Sequence, residues 1–386
     1  MAIFGTRPEA IKLAPVVSAL EAAPDFEPVI VVTGQHREML AQVLELFRIE
    51  PHHDLDLCRP GQTLTSITTG ALTGLEPLLD SERPDAVLVQ GDTTTTFAGA
   101  LAAFYRRIPV FHVEAGLRTN DLDSPYPEEA NRQLTTRLAA LHLAPTLGNK
   151  ANLVAEGIDP STVVVTGNTV VDALLQAVER DLDYGDPALA DLDADPRRVI
   201  LVTAHRRESW GAGHAAVARA LAEVASTEPD VLVVFPIHRN PVVREAIVPV
   251  LCDLPNVRIV EPLEYGGLVK LMQRAHIILT DSGGIQEEGP SLGKPVLVLR
   301  DTTERPEAVV AGTVRLVGTE ETSIVGATRT LLHDVDAYRA MANAVNPYGD
   351  GRATERTLAA MAEFFGVGER LDEFTPDLPF EREDAA

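Results

Sequence analysis

Cysteine is nearly missing from this chain, and so is lysine. Only Cys58 and Cys252 occur, far apart in sequence, which excludes a disulfide framework and predicts free thiols in a reducing cytoplasm. No Cys and His spacing suits a zinc ion. No run of eighteen apolar residues occurs, so no membrane span is expected. The chain opens directly on an apolar strand and a glycine turn, without a basic segment and signal core. No G-x-G-x-x-G follows that first strand, and no Walker lysine motif appears. These absences together predict chemistry with neither a redox cofactor nor a metal.

What is present fits two α/β domains: 386 residues with 45% hydrophobic content are ample for two cores. Net charge is −24, from 33 Lys+Arg against 57 Asp+Glu. That balance argues against a nucleic-acid partner or an anionic membrane surface. Only four of the cations are lysines, Lys12, Lys150, Lys270 and Lys294. Arg and His nevertheless recur at strand ends, where they would hold an anionic small molecule. A well-solvated surface accounts for the bulk of the acid excess.

The chain is organised around Phe111 to Arg132, FHVEAGLRTNDLDSPYPEEANR. An apolar run ends on Glu114 and passes a small-residue turn, and Pro127 then opens a helix beginning at Glu128. Asp92 follows the run Ala86 to Gln90 in the same way. Ligands of open α/β sheets bind at the carboxyl ends of strands. Three acids there predict proton chemistry. For Glu128 and Glu129 a simpler account stands beside this one, since acids at a helix start complement its dipole. Glu114 and Asp92 have less packing value and are costly to bury.

Taken in order, Ala2 to Phe4 is a short strand before Gly5-Thr6-Arg7-Pro8-Glu9. Pro8 suits the first helical position and Glu9 the first turn, so Arg7 lies beside a helix start whose N–H groups point outward as a phosphate cradle. Lys12 lies about a turn further on. Strands at 28–32, 85–90, 110–113, 142–144 and 163–166 alternate with helices, predicting a parallel doubly wound domain over residues 1–167. The acidic stretch 181–195 reads as a solvated connection. Alternation restarts at Val199 in a second domain, 168–353, whose strands precede His205-Arg206-Arg207-Glu208, His238-Arg239-Asn240-Pro241 and Asp281-Ser282-Gly283-Gly284. A last helix, about 354–368, precedes an acidic tail, 369–386.

TDSGGIQEEGPSLGKP is the most informative segment. Gly283 and Gly284 let the backbone approach an anion, and Glu288, one turn up the helix, suits the vicinal hydroxyls of a ribose. A tight turn would explain the glycines alone; with Glu288 and the His205 and His238 turns they indicate a nucleoside diphosphate.

FGTRPEAIKLAP, TGQHREML, QGDTTTT, HVEAGLRT, PEEANR, GNTVVDAL, TAHRRES, LTDSGGIQEE and RDTTERPEAVVAGT together resemble the non-hydrolysing UDP-N-acetylglucosamine 2-epimerases, from about Phe4 to Gly351. The resemblance implies two Rossmann-like domains in a glycosyltransferase-B-type arrangement with a cleft between them, the last helix crossing back to the first domain. It implies interconversion of UDP-GlcNAc and UDP-ManNAc by loss of UDP to a 2-acetamidoglucal and re-addition, without NAD or metal. By position, it assigns acid/base work to Asp92, Glu114 and Glu128, with His205 near the leaving diphosphate. It assigns substrate contacts to Arg7, Lys12 and His238, the phosphate loop to Ser282, Gly283 and Gly284, the ribose to Glu288, and a further contact to Arg305. It also implies a homodimer in the cytoplasm and a second UDP-GlcNAc as activator, held partly at the Gln35-His36 turn.

Leu268 stands where relatives place an aromatic against uracil, Leu263 where some carry glutamine, and Glu38 and Gly61 where some have Gln and Arg. Other outcomes on this scaffold are a hydrolysing epimerase releasing ManNAc and UDP, a C2 epimerase of a diacetamido uronic acid type UDP-sugar, a glycosyltransferase, and a silent sugar-nucleotide binder. Three placed acids with His205 argue against the last two.

Overall fold

The computed structural model of the protein describes residues 1–34, 37–59 and 61–377. Two compact units are present, one comprising Met1–Gln176 with Tyr348–Thr375, the other chiefly Ala177–Pro347.

The first unit carries strands β1 (Ala2–Phe4), β2 (Ile30–Val32), β3 (His53–Asp54), β4 (Val87–Gln90), β5 (Val110–Val113), β6 (Leu141–Ala144) and β7 (Val163–Val165). They form one sheet in the order β3-β2-β1-β4-β5-β6-β7, with every pairing parallel. The second unit carries β8 (Arg198–Thr203), β9 (Val231–Pro236), β10 (Val257–Val260), β11 (Ala275–Thr280), β12 (Val296–Val298) and β13 (Val314–Leu316). Their order is β10-β9-β8-β11-β12-β13, again parallel throughout. Strands covered on both faces need apolar residues at successive positions. Accordingly β1, β2, β4, β5, β6 and β7 are buried at every residue.

Each sheet repeats the same winding, outward in one direction and then back past its first strand. The reversal places a crevice between β1 and β4 in one sheet and between β8 and β11 in the other, which is where ligands of such sheets bind. The turns that carry Arg7, Asp92, His205 and Ser282 leave these four strands, while Glu114 follows the neighbouring β5 and His238 the neighbouring β9.

The turn at 167 and 168 does not end the first unit. Val170, Val171, Ala173 and Leu174 of the Thr169–Val178 helix are buried. Asn168 N–H donates to the Tyr348 carbonyl at 2.6 Å, and the Asp172 carboxylate accepts the N–H groups of Ala353 (3.3 Å) and Thr354 (2.7 Å) at the start of the last helix, Ala353–Phe365. That helix packs against the Arg7–Ala22 helix, and Phe364 and Phe365 lie 4.8 and 5.7 Å from the Phe111 ring. The stretch 181–195 is more than a solvated connection. Tyr184, Leu189 and Leu192 are buried, Tyr184 donates to Asp193 at 2.5 Å, and Arg258 pairs with Asp191 and Asp195.

Candidate active site

At the first reversal, chain direction changes sharply after β1, and glycine is required there because a Cβ on Gly5 would fall 2.0 Å from Thr33 Oγ1. The helix that follows does not offer its start as a cradle in the way its sequence suggests. Glu9 folds back, fully buried, and its Oε2 accepts the N–H groups of Gly5 (3.0 Å) and Thr6 (2.7 Å). Its Oε1 accepts the hydroxyls of Thr93 (2.7 Å) and Thr96 (3.0 Å) from the turn after β4. Burial pushes this carboxyl up, against the pull of bonds from Thr93, Thr6 and Gly5. Arg7, half-buried at the first helical position, has no hydrogen-bond or ion-pair partner among the described residues.

Glu114 ends β5 in left-handed backbone, φ 63°, a conformation that costs a non-glycine residue energy and gathers at functional sites. Its carboxylate is paired with Lys12 and accepts from Gln90 and from Asn168 Nδ2 at 3.1 Å. Lys12 is therefore a neighbour of Glu114. The Glu114 Oε2 atom lies over Gly91, where a Cβ would be 3.5 Å away. Asp92, next in the chain, pairs through Oδ2 with Arg132, and its carbonyl accepts Asn131 Nδ2 at 2.9 Å. Its Oδ1 has no partner among the described residues. Glu128 begins the Glu128–Leu138 helix with its carboxylate likewise unpartnered among them.

Glu129 has a structural part. It is buried and accepts Thr119 N–H (3.0 Å), Asn120 N–H (3.1 Å), Gln133 (2.8 Å) and Arg132 (2.9 Å). Burial pushes its carboxyl up, but the bonds from Gln133 and Thr119 and the Arg132 charge outweigh it and hold the group below the usual carboxylate range. Behind the turn, buried His112 bonds through Nε2 to the Gly91 carbonyl at 2.7 Å, and burial drives it down to about 3.

At the second reversal, Asp281 is the buried hub. Its Oδ2 accepts the N–H groups of His205 (2.6 Å) and Arg206 (2.7 Å), and Oδ1 lies 2.8 Å from His205 Nδ1. Burial raises this carboxyl, but the His205 ring and the two N–H groups hold it below its ordinary value. The ring of His238 stacks on His205 at 5.9 Å and is lowered, first by burial and then by the His205 charge. Ser282 precedes the Gly283–Ser291 helix without capping it. The N–H groups of Gly283 and Gly284 have no acceptor outside the helix among the described residues. Glu288, on the same helix, is buried and accepts Tyr265 Oη at 2.9 Å.

Arg305 is buried against Glu287 and lies 3.9 Å from Glu304. Burial raises the Glu304 carboxyl, yet Arg305 and Arg300 carry it down to about 2. Leu263 and Leu268 are half-buried before and within the Tyr265–Arg274 helix.

The structure thus brings Lys12 to Glu114, and His205 and His238 to the strand end that bears Ser282, Gly283 and Gly284. Sequence reasoning missed Gln90, Arg132, Asn168 and the inward role of Glu9. Asn168 follows a strand just as Glu114 does, and Arg132 lies four residues after Glu128, so both had a positional signal. The Gln35-His36 turn lies outside the described residues. Among the described residues no group of three or more His, Cys, Asp or Glu is arranged to hold a metal, no helix is long and apolar enough to cross a membrane, and Cys58 and Cys252 are exposed free thiols.

A family model described as UDP-N-acetylglucosamine 2-epimerase matches residues 18–362. The chain is 55% identical over 367 residues to the UDP-N-acetylglucosamine 2-epimerase of Escherichia coli K12, covering 94% of this chain and 97% of that one. It superimposes on the Neisseria meningitidis UDP-GlcNAc 2-epimerase bound to UDP-GlcNAc with a TM-score of 0.86 at 49% identity, covering 94% of this chain and 99% of that one. The Methanocaldococcus jannaschii UDP-GlcNAc 2-epimerase in complex with UDP-GlcNAc and UDP gives 0.77 at 34% identity, covering 94% and 99%. The chain, with its two parallel sheets wound alike, matches these relatives across nearly their whole length, and it belongs to the UDP-N-acetylglucosamine 2-epimerase family.

Proposed function

We propose that this protein interconverts UDP-GlcNAc and UDP-ManNAc without net hydrolysis. The observation that carries this reading is the unequal state of the three acids: Glu114 held by three donors, Asp92 by one arginine, Glu128 by none among the described residues. Inversion at C2 needs one group to take the proton and another to return it on the opposite face. Asp92 and Glu128 keep unpartnered oxygens for that exchange. Glu114 completes the acid set and fixes Lys12 beside them, with Arg7 free for the substrate.

The C2 hydrogen is barely acidic, so its removal is coupled to C1–O cleavage. The proton passes to a carboxylate, the C1–O electron pair leaves with UDP, and a 2-acetamidoglucal remains. Re-addition of UDP at C1, with protonation of C2 from the other face, restores the nucleotide sugar. In the second unit the Gly283 and Gly284 N–H groups take the diphosphate, and Glu288, oriented by Tyr265, takes the ribose. Leu263 and Leu268 cover the base, and Arg305 and His238 complete the pocket. His205, donating from Nδ1 to Asp281, donates from Nε2 to the departing phosphate when the ring carries a proton on both nitrogens, where developing charge needs a donor. No step requires NAD or a metal. The free thiols fit a reducing cytoplasm. Exposed Phe104, Tyr105 and Leu134 on two neighbouring helices supply a face for a homodimer. The resemblance extends the reading to a second UDP-GlcNAc as activator.

Proton NMR of the protein with UDP-GlcNAc in heavy water tests the reading. UDP-ManNAc carrying one deuterium at C2 is expected. Free ManNAc with UDP would instead identify the hydrolysing reaction, and product without label at C2 would overturn the proton-transfer route.

A further inference from the structure

Glu9 is the buried acid that this chemistry does not use. Its four bonds divide evenly: two go to the turn after β1, which carries Arg7, and two to the turn after β4, which carries Asp92. Thr96 extends the link, its single hydroxyl proton shared between Glu9 Oε1 at 3.0 Å and the Gln90 carbonyl at 2.6 Å, and Gln90 in turn binds Glu114. A single carboxylate therefore sits where a bound anion would sit in an open α/β crevice, and it joins the mounts of Arg7, Asp92 and Glu114.

We infer that Glu9 is a positioning residue, a buried hydrogen-bonding hub that locks the two turns of the first reversal into register for proton transfer. The inference rests on the epimerase reading above. Leaving buried donors without their acceptor is costly, so the hub holds both turns. Nothing in the four bonds requires that Glu9 touch the sugar. An amide can meet the same four groups, its oxygen accepting the two N–H groups and its nitrogen donating to the two hydroxyls.

The test begins with the wild-type rate of C2 deuterium exchange in UDP-GlcNAc, whose absence would sink the epimerase reading itself. With that rate in hand, Glu9→Ala is expected to lower kcat by about 100-fold, the scale of a small misplacement of reacting groups. UDP affinity should be unchanged, because Glu9 lies in the other unit, on the Arg7–Ala22 helix. Sodium formate should restore a large part of the lost rate by seating in the vacated carboxylate position, whereas sodium chloride at equal ionic strength should not. Glu9→Gln should remain within about fivefold of wild type, since its hydrogen-bond pattern survives. If Glu9→Ala fails to fold, the near-isosteric Thr93→Val cuts one arm of the link, and a roughly tenfold loss in kcat with UDP binding intact is expected. The proposal is overturned if a folded Glu9→Ala, or Thr93→Val in its place, turns over like wild type. It is equally overturned if Glu9→Ala loses UDP binding along with kcat and formate restores nothing.

Discussion

The two sheets share one strand order yet treat their reversal points in opposite ways. In the first, the N–H groups after β1 are taken up by the protein's own carboxylate, Glu9. In the second, the N–H groups of Gly283 and Gly284 are left, among the described residues, without an acceptor beyond their helix. A filled reversal is rigid and cannot hold an external anion, whereas an open one is an anion site by construction. The difference teaches that strand order locates both candidate sites but does not say which holds the phosphate. That is decided by whether an acid stands third in the helix, as Glu9 does after the cap residue Thr6, or an apolar residue does, as Ile285 does after the cap residue Ser282.

The division predicts that chemistry and binding are separable by mutation. The largest effect is expected at Glu128, whose replacement by Gln removes a proposed proton carrier and should lower kcat by about 10²- to 10⁴-fold. The dissociation constant for UDP, measured by calorimetric titration, should stay within a factor of about three, because the group lies in the filled-reversal unit. Glu114→Gln should follow the same pattern. A loss of UDP binding at either position would mean that the acids of the first unit are part of the nucleotide hold.

A second substitution closes the open reversal. Ser282 stands at the cap position of the Gly283–Ser291 helix without capping it, and Asp is among the best residues there. Ser282→Asp should therefore stabilise the fold by about 1 kcal/mol. At the same time it sets a negative charge against the diphosphate, and juxtaposed like charges cost several kcal/mol. UDP affinity should fall by about 100-fold or more. A rise in Tm with loss of UDP binding sharpens the comparison. Unchanged UDP binding would break it, because the anion would then sit elsewhere.

Much of this was legible in the sequence. Strands buried on both faces print as short apolar runs, and Asp92, Glu114, His205 and Ser282 follow such runs directly, so their places at strand ends could be read without coordinates. What could not be read were bonds between distant segments. Glu9 looks like an ordinary first-turn acid, and its partners Thr93 and Thr96 lie 84 and 87 residues away. Asn168 reaches Glu114 across 54 residues. The stretch 181–195 misled for another reason. Its six aspartates dominate the composition, while the anchors Tyr184, Leu189 and Leu192 are spaced without a helical or strand period, so no pattern announced their burial.

The smallest effect concerns what backs each reversal. His112 supports the first directly, through the Gly91 carbonyl beside Asp92. In the second sheet, His276 stacks on Tyr338 at 4.3 Å near the start of β11, away from Ser282. Burial takes His112 from its ordinary 6.5 down to about 3, and His276 to about 4. Between 6.5 and those values the unfolded chain binds protons that the fold refuses, so stability is full above pH 6.5 and is lost as pH drops, by up to about 1.4 kcal/mol per pH unit for each histidine. His112→Gln can still donate to Gly91 but cannot titrate. Its calorimetric Tm should fall less steeply than that of wild type from pH 6.5 to pH 5, and His276→Phe should remove a similar share. Only His112 touches a turn that carries a candidate acid, and because both rings stay neutral in the fold above about pH 4, kcat of the folded enzyme should not depend on pH through either histidine. Identical slopes for wild type and His112→Gln would show that His112 protonates freely in the fold, and that the first reversal is held by Glu9 from above without support from below.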